Sequence, residues 1–534
     1  YSLFAAIAFL FISVWGFQQR GDAIKKAREA DSSREEAEYR RKEADSLRIL
    51  ADGRATLADI EKLMAEMNAD SADKQRAIAY YQKKQSDLEK QLAFQQAEEA
   101  ARRSAQYQKE KEESEKTAVK ANQQLSVTEK EKNLEFQKRM LSIAQTMSGK
   151  VTQVDDKNLK GLLAYQAYLF NNDYNGQSDD PDIYNALYDA LAGFNGDYFN
   201  SLQGHEGSIR SVAFLPGSEV FYSSGHDGKI LRWDLNSGSK TYKTLINNNF
   251  TNRSMSISPN GRWLACGTTT TGIQLFNLNT GTEPEILEGH KGWVEALAFT
   301  ADSKGLFSAS TDKTIIYYDL IEGSSSVFMT LPVKARCLAV SPSGRYLFGG
   351  TDDGKLIRWN MDTKEETVIF SSPGNSISAL DINSTGSRVA FVDKNGSLRL
   401  ADARSNSIIR NVNAHSGRIM DVRFSPDDRQ IATASVDKTV KLWDVNNLGN
   451  RPIIIGRHDS FVFAVAFSPD GKYLVSSGDV PDNKSIPFLF YWPTHATAMA
   501  AQMCDKVTRN FSTREWENYV GYDVQFQKTC PNKP

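Results

Sequence analysis

The chain has 534 residues, 40% hydrophobic and 24% charged, the proportions of folded protein, which exclude wholesale disorder. Lysine and arginine (64) nearly balance aspartate and glutamate (66), for a net charge of −2, which argues against a protein built to coat nucleic acid. Four cysteines exclude a disulfide-rich secreted scaffold, and six histidines are few for a metalloenzyme.

Tyr1 to Phe17 carry no charge and are almost entirely apolar. A spanning helix needs about 20 such residues, with a lower limit of about 17. There is no initiator methionine and no basic stretch ahead of the run, so it fits a complete signal peptide poorly and the chain reads as truncated. Residues 1–19 are therefore expected to form a transmembrane helix of a single-pass membrane protein. Arg20, Lys25, Lys26 and Arg28 follow it, which tilts the expected side of the remaining chain toward the cytoplasm rather than the periplasm.

Residues 20–150 form the next segment. No proline precedes Pro181, and between Gly53 and Gly149 there is no glycine. The stretch is rich in Ala, Glu, Lys, Gln and Arg, all good helix formers. Leu50, Leu57, Ile60, Met64 and Met67 fall on a and d positions of a heptad, with Gly53 as a defect at one d position. Leu134 and Leu141 are spaced by seven. The spacing predicts a charged helical stalk, partly coiled coil, either extended as a spacer and homo-oligomer contact or folded back as a hairpin.

Residues 151–195 predict a helix pair. Leu159, Leu162, Leu163, Tyr165, Ala167, Tyr168 and Leu169 mark one helix. Asp180-Pro181 suits the cap and first position of a second, followed by Ile183, Leu187, Leu191 and Phe194.

Repetition begins near residue 200. One position recurs as Trp233, Phe276, Tyr318, Trp359, Leu400, Trp443 and Trp492, at intervals of 43, 42, 41, 41, 43 and 49. An Asp or Asn follows in most copies. Upstream lies a turn signature, as in Ser258-Pro259-Asn260-Gly261 and Ser468-Pro469-Asp470-Gly471, flanked by short alternating apolar runs. Gly204-His205 and Gly289-His290 open two copies, and His415 and His458 stand in the same place in two others.

These repeats resemble the WD-repeat β-propeller family over roughly Asp197 to Pro493. The resemblance implies a mainly β fold, a seven-bladed propeller over 196–493, and in each complete blade a buried His, Asp, Ser or Thr, and Trp. Carried onto this sequence, that set is His415, Asp437, Ser435 and Trp443 in blade six, and His205, Asp227 and Trp233 in blade one. Blade three has His290 and Asp312 with Tyr318 for Trp. Blades two, four and five lack the histidine; Trp359 remains in blade four. His458 and Trp492 belong to blade seven, which carries extra residues around Val480 to Ser485 and has Pro493 in place of the Asp. Because an open ring exposes a strand edge, Tyr198 to Gln203 is expected to supply the outer strand of blade seven.

Catalytic motifs are scarce. Gly349 to Lys355 has the spacing of a P-loop, but Leu356 stands where Ser or Thr must hold magnesium, and the context is strand–turn–strand. No cofactor, metal or enzymatic activity is expected. Residues 494–534 form a tail that predicts a helix over Ala496 to Val507, with Met499, Met503 and Val507 on its inner face. Arg509 to Ser512, Trp516, Tyr519 and Thr529-Cys530-Pro531 resemble the ends of bacterial WD-repeat proteins of the signal-transducing ATPase (STAND) type. A disulfide between Cys504 and Cys530 is one reading of the tail, and two free thiols the other. The function expected is a membrane-tethered recognition or sensor module. Its propeller face would bind a protein or peptide partner, with no nucleic acid; the alternative is a structural scaffold.

Overall fold

The computed structural model describes the backbone of residues 2–66, 71–237, 241–247, 250–269, 272–281, 283–481 and 488–534. The chain divides into two compact units, residues 1–130 and 131–534. Helix α1 is Ser2–Glu66 and helix α2 is Ser71–Lys150.

Among the described residues no helix is long and apolar enough to cross a membrane. This overturns the expected single-pass membrane placement, and the choice between cytoplasm and periplasm falls with it. The physical reason lies in the helices themselves: from Ala30 onward their described faces are mostly exposed and charged, a composition that requires water on most sides. The side chains of Tyr1 to Phe17, on which the expectation rested, lie outside the described residues.

In the first unit α1 and α2 form an antiparallel hairpin rather than one extended rod. Ser46, Leu50, Gly53, Leu57, Ile60 and Met64 make a half-buried seam at steps of four and three, the heptad spacing of a coiled-coil contact. Met67 lies outside the described residues. Gly53, the apparent defect, is a socket: a Cβ added there would stand 2.9 Å from Leu88 Cδ2. Nearer the open end, the Arg103 guanidinium lies 5.3 Å over the Tyr39 ring.

The second unit holds seven four-stranded antiparallel sheets. Six are built from consecutive strands. The seventh takes its outer strand, Ser201–Leu202, from the start of the ring, pairing Ser201 with Phe490 and Leu202 with Leu489. The result is a closed seven-bladed β-propeller. Strand pairing corrects one register. In blade six Ile431 pairs with Trp443, and in blade five the equivalent Val389 pairs with Ala401. The residue at the tryptophan position is therefore Ala401, followed by Asp402, and not Leu400. Successive strand residues point to opposite faces, so a slip of one residue exchanges the two faces.

Four further helices and the end of α2 pack on the outside of blades six and seven. Helices α3 (Lys157–Asp173), α4 (Pro181–Asn195), α5 (Ala496–Lys506) and α6 (Thr513–Tyr519) share a core with Leu442, Ile453, Phe490 and Trp492. Leu134 is exposed; the buried stripe of α2 is Met140, Ala144 and Met147, continued by Val151. The Asp180 carboxylate caps α4, accepting the N–H groups of Asp182 and Ile183. The Tyr184 hydroxyl donates to the Pro493 carbonyl at 2.6 Å in a buried contact. Asp179 reaches across the fold to α5, accepting the Ala496 N–H at 3.2 Å and pairing with His495 Nδ1 at 2.7 Å. That contact raises the His495 pKa above its ordinary value, against the effect of burial. Met499, Met503 and Val507 are fully buried, and Trp516 packs edge-on against Phe170. Cys504 and Cys530 are disulfide-bonded with Cα atoms 5.5 Å apart, while Cys266 and Cys337 are buried free thiols.

Candidate functional site

Two sets of side chains stand out, one inside the blades and one at the centre of the ring. In blade one His205 Nδ1 lies 3.0 Å from Asp227, its Nε2 lies 2.7 Å from the Ser223 hydroxyl, and Trp233 Nε1 donates to that hydroxyl at 2.8 Å. Blade six repeats the arrangement with His415, Asp437, Thr433 and Trp443 at 2.9, 2.8 and 2.9 Å. The hydroxyl is that of Thr433, not Ser435. Both residues point to the same face of their strand, but Thr433 lies level with the indole, whereas Ser435 donates to the Arg418 carbonyl at 2.9 Å. Blade three has His290, Asp312 and Ser308, with Tyr318 at the tryptophan position.

In blades one and six the donors and acceptors close into one chain. The indole N–H donates to the hydroxyl, the hydroxyl donates to histidine Nε2, and a proton on Nδ1 donates to the carboxylate. Burial works against ionisation of Asp227 and Asp312, yet the groups aimed at them prevail and hold both at about 2. Asp437 is held down in the same way. Burial pushes His290 and His415 below the usual histidine value, against the pull of their aspartates. These are bracing networks without access to a substrate. Asp437→Ala leaves His415, the Ser416 N–H and the Thr439 N–H and hydroxyl without their acceptor. The expected cost is about 1–3 kcal/mol, read as a lower urea midpoint at unchanged m-value. A variant of full stability would refute the network.

Other blades solve the same problem differently. In blade four Gly349 takes the hydroxyl position and Trp359 fills its space, a Cβ there meeting the indole at 2.6 Å. Trp359 Nε1 donates instead to Glu366 at 3.3 Å. In blade two Cys266 takes the hydroxyl position, paired with Gln274 and two residues from Leu264, which faces Phe276. Blade seven keeps His458, Ser476 and Trp492, at 2.9 and 2.7 Å, but has Val480 where the aspartate belongs. His458 Nδ1 is buried without a hydrogen-bond partner among the described residues.

The second set surrounds the central channel. Every inner strand carries a register shift at one position, between Ile209 and Ser211 in blade one and at the equivalent place in the other six. The skipped residues are Arg210, Arg253, Glu295, Arg336, Ser378, Met420 and Phe463. A bulge releases its extra residue from the ladder and re-aims its side chain. All seven, together with Arg418, line one end of a central cavity of about 570 Å³ that runs the length of the inner strands, from Arg210 to Phe214 in blade one and as far as Pro426 and Pro469 in blades six and seven. The Arg210 guanidinium stacks 3.8 Å from the Phe463 ring centre, and its Nε donates to His226 Nε2 at 2.8 Å. Arg253 lies 4.9 Å over Trp293, and both Arg253 and Lys334 reach Glu295 at 3.3 Å. Arg336 is paired with Asp352. Trp293 and Phe461 stand on the rim, 48% and 45% exposed.

Deeper in the ring charged groups tie blade to blade. Asp381 accepts the Phe424 N–H at 2.8 Å, and Asp421 accepts the Val465 N–H at 3.1 Å. Burial pushes Asp381 up to about 6. Among the described residues no group of three or more His, Cys, Asp or Glu side chains is placed to hold a metal ion. The Gly349–Lys355 stretch forms the turn of a β-hairpin, with Gly349 opposite Ile357 in the ladder.

Residues 196–234, 281–319, 329–360, 406–444 and 451–484 match the model of the WD domain, G-beta repeat. These stretches fall on blades one, three, four, six and seven. Among curated proteins, the chain is 25% identical over 285 residues to Autophagy-related protein 16 of Arabidopsis thaliana, covering 52% of this chain and 55% of that one. It is 27% identical over 301 residues to the guanine nucleotide-binding protein subunit beta of Oryza sativa subsp. japonica, covering 52% and 69%. The same subunit of Zea mays is 25% identical over 301 residues, covering 52% and 69%. The alignment thus spans about half the length of the first of these relatives.

Proposed function

We propose that this chain is a protein-recognition scaffold whose propeller holds a segment of a partner at the channel mouth. The observation that carries this reading is the convergence of seven bulged residues on one cavity, rimmed by the exposed Trp293 and Phe461. Exposed aromatics beside arginines are the composition of interface hot spots. The WD repeats support an interaction role, and relatives named as a subunit of a larger protein support it further. The tail's likeness to signal-transducing ATPase-type proteins favours a sensory over a purely architectural role.

Photo-crosslinking in cells tests the reading. A benzoylphenylalanine placed at Trp293 or Phe461 is expected to give adducts with a partner protein. The same residue at Ser343, beyond the opposite ends of the inner strands, is expected to give none. Equal labelling from both faces, or no adduct from the rim, would overturn it.

A further inference from the structure

We propose that the channel mouth selects acidic protein segments, with Arg210 and Arg418 as the two cations that a partner's carboxylates engage. The inference rests on the recognition role above and adds the chemistry of the ligand. Arg210, Arg253, Lys334, Arg336 and Arg418 surround the mouth, against Glu295, Asp352 and Asp479. The acids are already committed. Glu295 is shared by Arg253 and Lys334, Asp352 holds Arg336 and the Ser376 hydroxyl, and Asp479 accepts the Ser208 hydroxyl. Among the described residues neither Arg210 nor Arg418 forms an ion pair.

These two arginines are also prepared for an anion. The Nε atom of Arg418 is buried without a hydrogen-bond partner among the described residues. The Arg210 guanidinium carbon lies 3.8 Å from the Phe463 ring centre and its Nε donates to His226, contacts that restrict the fork from two sides. A fixed planar fork matches a carboxylate with two parallel hydrogen bonds. Burial, together with a neighbouring arginine, lowers the pKa of both: Arg253 acts on Arg210, and Arg336 on Arg418. Asp479 and Glu295 oppose the shift of Arg210, and Asp352 and Glu295 that of Arg418, but burial prevails, and an anion placed between the two cations would favour their charged forms.

The cations come from blades one, two, four and six and from the loop before blade four, so they are spread around the opening rather than gathered at one point. With Trp293 and Phe461 on the rim, this arrangement fits an extended segment carrying several carboxylates better than a single small anion. The cavity of about 570 Å³ behind the mouth extends along the inner strands, a shape that takes a narrow segment rather than a folded surface.

The test uses the full chain and a short fluorescein-labelled Glu-Gly repeat peptide, with a Gln-Gly repeat as the neutral control, followed by fluorescence anisotropy at low ionic strength. The acidic peptide is expected to bind about tenfold or more tighter than the neutral one, and the combined Arg210→Gln, Arg418→Gln substitution to weaken it by about tenfold or more. Glu295→Gln, which frees Arg253 and Lys334 from their internal partner, is expected to tighten it. A gain of affinity cannot come from damaged folding, so this variant guards against a trivial loss in the other. Equal binding of the neutral peptide overturns the acidic preference while leaving the recognition role intact. Absence of binding by the acidic peptide, an affinity unchanged by the arginine substitutions, or equally tight binding of a single-stranded oligothymidylate also overturns it.

Discussion

Deletion of residues 198–203 is expected to abolish the single cooperative unfolding transition of the propeller. These residues close the ring. Leu202 is buried against Leu489, the Tyr491 N–H donates to the Asn200 carbonyl at 3.0 Å, and the Asn200 amide returns a bond to the Tyr491 carbonyl at 2.8 Å. The Tyr188 hydroxyl of α4 donates to the same asparagine at 3.2 Å. Loss of one buried leucine contributes about 2 kcal/mol and each hydrogen bond about 1 kcal/mol. The sum approaches the stability of many whole domains, about 5–15 kcal/mol. The deletion also bares the edge of the strand Leu489–Pro493, a template for pairing with another chain. Calorimetry with light scattering reads both effects. A melting profile like that of the intact chain would show that the seam does not hold the ring.

His458 is expected to make the propeller labile to mild acid. Burial alone pushes its pKa from 6.5 down to about 3. The unfolded chain therefore takes up the proton first. The stability this group contributes is fully present above pH 6.5 and is lost progressively as pH falls toward about 3. Over the whole window the loss is on the order of 4 kcal/mol. His290 and His415 shift in the same direction and add to it. The aspartates of blades one and three, held at about 2, contribute stability that is present above their unfolded value of 3.8 and is lost only as pH falls from there toward about 2. His458 differs from His205, His290 and His415 because, among the described residues, no aspartate faces its Nδ1; its ring lies against Phe490 at 4.9 Å and Trp492 at 6.2 Å. His458→Gln keeps an acceptor for Ser476 and removes the titration. Urea midpoints measured between about pH 7 and about pH 4.5 should fall less in this variant than in the native chain. Parallel falls in both would refute the role of His458.

Much of this fold could be read along the chain. The recurring aromatic position counted seven blades, and the His–Asp–Trp spacing placed the braced sets of blades one and six. Asp180-Pro181 announced the start of α4, and Leu50 to Met64 a helix seam. The errors share a cause. Ser435 fits the expected Ser or Thr because it lies on the same strand face as Thr433, two residues away. The constant separation of eighteen from the histidine, seen again in His205–Ser223 and His290–Ser308, was the signal that distinguishes them. Leu400 fits the recurring position by its size, whereas the ladder puts Ala401 there, and the Asp402 that follows is the better marker. The apolar opening run suggested a membrane helix, whereas the described helices offer no span. In α2 the buried stripe uses methionine and alanine, which a search for leucine heptads passes over.

By itself the sequence determined the repeat and its count, because strand alternation and turn chemistry act over a few residues and recur with each blade. Tertiary structure decided which residues meet. Arg210, Arg253, Glu295, Arg336, Ser378, Met420 and Phe463 differ in kind, lie 41 to 43 residues apart, and form no motif. They share only a bulge, and a bulge is defined by the neighbouring strand, not by its own residue. Closure of the ring, through a short strand drawn from outside the seventh repeat, then turns the seven bulges toward one axis. The mouth and its charge exist only once that closure is made, since blades one, two and four alone would present their arginines to open water.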